Sequence, residues 1–135
     1  MQIHVYENAA QVGQAAATLI AAQVLAKPDS VLGLATGSTP IPTYQELSRL
    51  CKAGVVDFSR TRSFNLDEYC HLPVDHEQSY HSFMKQQLFD HININQANTR
   101  VPNGNAADPA AECAAYDAAI EKAGGIDVQV LGIGR

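Results

Sequence analysis

Residues 30–35, Ser-Val-Leu-Gly-Leu-Ala, form a continuous run of strand length with no polar alternation, and Thr36-Gly37-Ser38-Thr39-Pro40 follows at once. A strand of that kind is covered on both faces, which is its condition inside a parallel sheet. A proline-led helical pattern, roughly Pro40 to Lys52 and ending near Gly54, comes next.

The rest of the chain repeats this alternation. Residues 3–6 (IHVY) read as a short strand, and Val12, Ala16, Leu19, Ile20 and Val24 recur at i, i+4, i+7, i+8 and i+12, the stripe of an amphipathic helix. Lys27-Pro28-Asp29 stops it. Thr61 to Leu66 is a strand, Asp67 to Gln78 a polar loop, and Ser79 an N-cap for a helix striped by Tyr80, Phe83, Met84, Leu88 and Ile92. Asn98 to Val101 reads as a short strand, and Cys113, Tyr116, Ile120 and Ala123 as a helical stripe that Gly124-Gly125 terminates. Ile126 to Ile133 is again a strand. This order predicts an α/β fold, an open, doubly wound, Rossmann-like and mostly parallel sheet with helices on both faces.

Composition narrows the function classes. The chain has 135 residues and a formal net charge of −5, so it offers no basic footprint for nucleic acid. The opening residues lack a basic leader and an apolar core, and no run approaches the ~20 apolar residues of a membrane helix, so a cytoplasmic chain with no membrane partner is expected. Cys51, Cys70 and Cys113 are odd in number and lack CxxC spacing, which points to neither a disulfide framework nor a zinc site.

In open parallel sheets ligands sit outside the carboxyl ends of the strands. Three loops qualify here: Thr36 to Thr39, Asp67 to Tyr69 and Gly132 to Arg135. The first hands a strand to a helix, whose N-terminus offers unpaired N–H groups and a positive dipole end. Phosphate suits that position: Gly37 lets backbone approach, the hydroxyls of Thr36, Ser38 and Thr39 donate, and Pro40 fits the first helical turn. A plain capped loop would use the same residue types. The lysine of a nucleotide-binding P-loop is missing after Gly37, and Gly132-Ile-Gly134 opens no helix, so a compact phosphate fits better than a dinucleotide.

The second loop carries Asp67 and Glu68. Either carboxylate is a candidate general base, favoured by partial burial, although solvated loop acids read the same way. Adjacent residues on a strand point to opposite faces, so the two are not expected to share one task. His71, His76 and His81 lack the i, i+4 spacing of a zinc pair, so no metal site is expected.

Taken in order, "LGLATGSTP", "FNLDEY", "SYHSFM", "VPNG" and "LGIGR" strongly resemble the glucosamine-6-phosphate deaminase family. The resemblance implies conversion of glucosamine 6-phosphate and water into fructose 6-phosphate and ammonia, a step of amino-sugar catabolism. The ring opens, a carboxylate carries a proton from C2 to C1, and an imine loses ammonia, with no metal or organic cofactor. It also implies roles. Asp67 matches the enolisation base, Thr36, Gly37, Ser38 and Thr39 the loop that holds the phosphate, and Gly132 a backbone position near the sugar hydroxyls; Glu68 is left unassigned, with a supporting role open. The partner would be a small sugar phosphate, with a homo-oligomer left open.

The family pattern continues beyond "LGIGR" with an Asn/Asp-Gly-His segment and a Glu-Pro that supply the ring-opening histidine and its acidic partner. Residues 1–135 therefore read as the N-terminal part of a single domain, truncated within its sheet. That part is expected to be inactive alone and prone to association through an exposed edge. A 6-phosphogluconolactonase, another sugar-phosphate isomerase, or a sugar-phosphate-binding module without catalysis are the alternatives.

Overall fold

The computed structural model describes residues 1–133, so Gly134 and Arg135, and that part of the third loop, lie outside the described residues. Helix α1 (Ala9–Ala26) leads into strand β1 (Val31–Leu34), helix α2 (Ile41–Lys52), strand β2 (Arg62–Asn65) and helix α3 (Tyr80–Gln87). Strand β3 (Thr99–Arg100), helix α4 (Pro109–Lys122) and strand β4 (Val128–Gln129) complete the order. The strands form one parallel sheet in the order β3-β2-β1-β4. Every residue of β1 is buried, as its unbroken apolar run predicts.

Alternation along β1 divides the molecule. Leu32 and Leu34 join Ala17, Ile20 and Val24 of α1, Tyr44 and Leu47 of α2, and Met84 of α3 in a single core. Helix α4 lies on the other face, where the Tyr116 ring meets Phe64 edge-on at 5.6 Å and 90°. Helices therefore cover both faces. Helix α1 is long and apolar enough to cross a membrane by length and composition, at a mean hydropathy of 1.3, yet one side of it is buried in this core. That hydropathy qualifies the expectation that no apolar run approaches membrane length.

Three boundaries differ from the sequence reading. Residues 1–6 form no strand: Ile3 and Val5 are exposed, and no neighbour among the described residues offers them a ladder. The stripe through Ile92 is not one helix, because α3 ends at Gln87 and Phe89–His91 form a 3-10 turn. The turn redirects the chain so that Phe89 and Ile94 both enter the core. Only Val128–Gln129 of the 126–133 run are strand, their ladder with β1 running from Leu32–Val128 to Gly33–Gln129.

Asp127 ties the start of β4 to β1. Its carboxylate accepts from Val31 N–H at 2.8 Å and from the Lys27 ammonium at 2.8 and 2.9 Å. The Lys27 hydrogen bond foremost, and the Val31 N–H after it, hold this carboxyl below its usual value. A depressed carboxyl stabilises the fold above its unfolded value, and that contribution is lost as pH falls through the folded value. Asp127→Asn is expected to lose about 1 kcal/mol or less at pH 7, the range of solvent-screened pairs. Urea midpoints across a pH series should show the gap closing as pH falls below the unfolded carboxyl's ~3.9 and through the lower value of the native group.

Candidate functional site

A cleft of about 430 Å³ opens at the carboxyl edge of the sheet, lined by Ala35, Thr36, Gly37, Ser38, Thr39, Leu66, Asp67, Tyr80 and Gly132. All three loops singled out in the sequence reach it. Its volume falls in the ~300–1,000 Å³ range of small-molecule sites.

The first loop is held from below. Tyr44 of α2 is fully buried, and its hydroxyl donates to Ala35 C=O while accepting from Ala35 N–H at 3.1 Å. Burial pushes this phenol well above its ordinary value, only partly offset by the bond to Ala35. The clamp satisfies both backbone groups of the residue at which β1 leaves the ladder. Gly37 then takes a φ of +92°, a left-handed conformation that side chains rarely adopt.

The hydroxyl side chains of this loop do not cap the helix that follows. Pro40 occupies the N-cap of α2, not its first helical turn as expected, and no side-chain cap bond forms. Among the described residues, Ser38 and Thr39 hydroxyls make no internal hydrogen bond, so they stand free beside an uncapped helix N-terminus. The plain capped loop that the same residue types allow is not what the chain builds.

The second loop separates its two acids. Asp67 is exposed at the cleft, without the partial burial that would favour a base. Glu68 turns to α3 instead: its Oε1 accepts from Tyr69 N–H at 2.8 Å and Tyr80 N–H at 2.9 Å, and its Oε2 from His81 N–H at 3.0 Å. A carboxylate at a helix N-terminus is stabilised by the free N–H groups and the dipole. Glu68 thereby fixes Tyr80, whose ring packs on Tyr69 at 4.7 Å. The neighbouring Tyr69 hydroxyl foremost, and burial after it, raise the Tyr80 phenol, while the nearby Thr36 side chain opposes them.

The VPNG segment braces this loop from behind. A Cβ on Gly104 would lie 1.9 Å from Tyr69 C=O, so glycine alone permits the approach. His71 N–H donates to Gly104 C=O at 3.1 Å, and Asn105 Nδ2 to Leu72 C=O at 2.7 Å. The Tyr116 hydroxyl, on α4, lies 2.9 Å from Asn65 C=O and 3.0 Å from Arg100 C=O, tying together the ends of β2 and β3. Burial first of all drives that phenol far above its usual value.

Tyr44, Tyr80 and Tyr116 were not singled out as site residues from sequence, which placed the latter two on core-facing stripes. The only signal was a hydroxyl on an otherwise apolar stripe. His76 Nδ1 accepts from Gln78 N–H at 3.1 Å, a local bond. Among the described residues, no group of three His, Cys, Asp or Glu is placed to hold a metal ion.

A family model described as glucosamine-6-phosphate isomerases/6-phosphogluconolactonase matches residues 5–135. The chain belongs to that family. It is 57% identical over 135 residues to a glucosamine-6-phosphate deaminase of Shewanella loihica, covering 100% of this chain and 50% of that protein. A glucosamine-6-phosphate deaminase of Halothermothrix orenii is 53% identical, over 99% of this chain and 56% of that one. A solved structure described as a monomeric glucosamine-6-phosphate deaminase superposes with a TM-score of 0.96 at 40% identity, covering 99% of this chain and 56% of its own. A 6-phosphogluconolactonase from Thermotoga maritima superposes at 0.74 with 21% identity, over 96% of this chain and 58% of its own, and shares the fold. The chain thus spans about half the length of the relatives it matches.

The Tyr44 clamp is open to test. Tyr44→Phe leaves Ala35 N–H and C=O unpaired in a dry site and should cost about 1–3 kcal/mol of unfolding free energy. Hydrogen exchange should rise at the Ala35 amide and along residues 36–39 before it rises in β1.

Proposed function

We propose that these residues form the phosphate-binding and proton-transfer part of a glucosamine-6-phosphate deaminase. The observation that carries the reading is the meeting, in one cleft, of Asp67 with a loop whose Ser38 and Thr39 hydroxyls are uncommitted beside an uncapped helix. The substrate phosphate sits against the N–H groups at the start of α2 and the Thr36, Ser38 and Thr39 hydroxyls. Gly37 keeps the backbone close. The sugar then extends toward Asp67, with Gly132 backbone beside its hydroxyls and Tyr80 on its flank.

In the ring-opened aldehyde, Asp67 takes the proton from C2, giving an enol-type intermediate, and returns it to C1. The C2 imine so formed adds water and expels ammonia, leaving fructose 6-phosphate. Binding energy at the phosphate, remote from the reacting carbons, orients C2 against the carboxylate. Glu68 is a positioning residue, acting through α3 on Tyr80. These steps call on no metal or organic cofactor.

The same proposal includes the expected N-terminal part of a single domain, a cytoplasmic location and a sugar phosphate as partner. The Asn/Asp-Gly-His and Glu-Pro segments that the family resemblance assigns to ring opening are not among the 135 residues. Binding without appreciable turnover is therefore expected of this chain by itself.

Fusing it to the remaining half of the Shewanella loihica relative should give ammonia release from glucosamine 6-phosphate. In that chimera Asp67→Asn should lower kcat by ~10²–10⁴, the usual worth of a general base, with KM little changed. Ser38→Ala should raise KM about tenfold, as expected for one lost hydrogen bond to a charged group. Hydrolysis of 6-phosphogluconolactone without ammonia release would overturn the assignment.

A further inference from the structure

A second concavity, of about 260 Å³, lies on the α4 side of the sheet and is lined by Arg62, Phe64, Asn98, Arg100, Lys122 and alanine side chains. None of these residues lines the catalytic cleft. The chain as a whole is acidic, with 9 Lys and Arg against 14 Asp and Glu. Three cations nevertheless converge here and no carboxylate lines the cavity.

The ion pairs among the described residues, Lys27 with Asp127 and Arg49 with Glu46, include none of the three. Asp127 feels the charge of Arg62, but its oxygens are already engaged by Lys27 and Val31 N–H. Arg62 is half-buried and built into the wall, with Nη2 donating to Ala123 C=O at 3.1 Å just past the end of α4. A guanidinium has five N–H donors, so most of its fork remains available. Like charges gathered over a low-dielectric wall repel one another, and a bound anion removes that cost.

We propose that this cavity binds a small phosphate monoester. Arg62 and Arg100 present planar forks that match phosphate oxygens bidentately, Lys122 adds a point charge, and Asn98 a polar contact. Phe64 and the alanine methyls give the organic stem an apolar wall. A volume just under the ~300 Å³ lower bound of drug-sized sites suits a small ester. A net charge of −5 on the whole chain disfavours a polyanion such as nucleic acid, whose many phosphates would meet acidic surface beyond the cavity. This site does not rest on the deaminase reading.

The test is an amide-resolved NMR titration of the protein, first with inorganic phosphate and then with glycerol 3-phosphate. Shifts at Phe64, Asn98, Arg100 and Ala123 should saturate, with the ester binding more tightly and sodium chloride weakening both. Arg100 and Lys122 are exposed, so the double variant Arg100→Gln, Lys122→Gln keeps the fold and should bind about tenfold or more weakly, the loss of charge-assisted bonds. Arg62→Gln, checked for native amide dispersion, should do the same. Shifts confined to residues 36–39 would report the catalytic cleft alone and overturn the proposal. Equal affinity in the double variant, or no saturation at the four amides, would overturn it too.

Discussion

The bond pair between the Tyr44 hydroxyl and Ala35 is the contact on which the carboxyl edge of the sheet depends. Where β1 leaves the ladder its backbone groups lose their strand partners while still surrounded by core. An unsatisfied buried group costs about 1–3 kcal/mol, so the chain either extends its strand or finds another partner there. Tyr44 is that partner, and it is anchored in α2, the helix that the departing loop itself begins. Loop and helix are thus fixed to each other through the strand end between them. Tyr116 performs the corresponding task from the opposite face, for β2 and β3 together.

Two helix N-termini flank the cleft, and the chain treats them differently. Helix α3 is satisfied internally: Ser79 Oγ accepts from Ser82 N–H, and both oxygens of Glu68 take N–H groups of its first turn. Helix α2 is left uncapped. Glu68 therefore spends its charge on structure, and the adjacent Asp67 keeps its oxygens for the cleft. The division of labour between neighbouring acids follows from the position of α3, whose first-turn N–H groups engage Glu68 and not Asp67.

How much of this was legible follows from which interactions are local. The uniform apolar run of β1 announced a strand covered on both faces, and the strand-to-loop punctuation at Thr36 and Asp67 announced the cleft. Both signals lie within a few consecutive residues. The clamps were not legible, because Tyr44 and Ala35 are on different elements and Tyr116 meets Asn65 and Arg100 only after the sheet is assembled. Residues 3–6 have strand composition but no ladder partner, and composition cannot supply one. The 126–133 run is strand only as far as β1 accompanies it. The stripe from Tyr80 to Ile92 keeps its apolar period through the 3-10 turn, so periodicity alone could not mark where the helix ends.

Among the described residues no Lys or Arg lines the cleft. On the proposed reading, a lysine or arginine in contact with Asp67 would engage the oxygens that receive the proton. Backbone N–H groups, hydroxyls and a helix dipole attract phosphate without offering the carboxylate a permanent partner. On the proposed reading the anion is held at one end by donors fixed in the fold, and Asp67 works at the other end. The cavity beside α4 has the opposite composition, lined by Arg62, Arg100 and Lys122 and by no acid, whereas Asp67 is the charged residue lining the cleft. The two kinds of charge therefore occupy different places among the described residues.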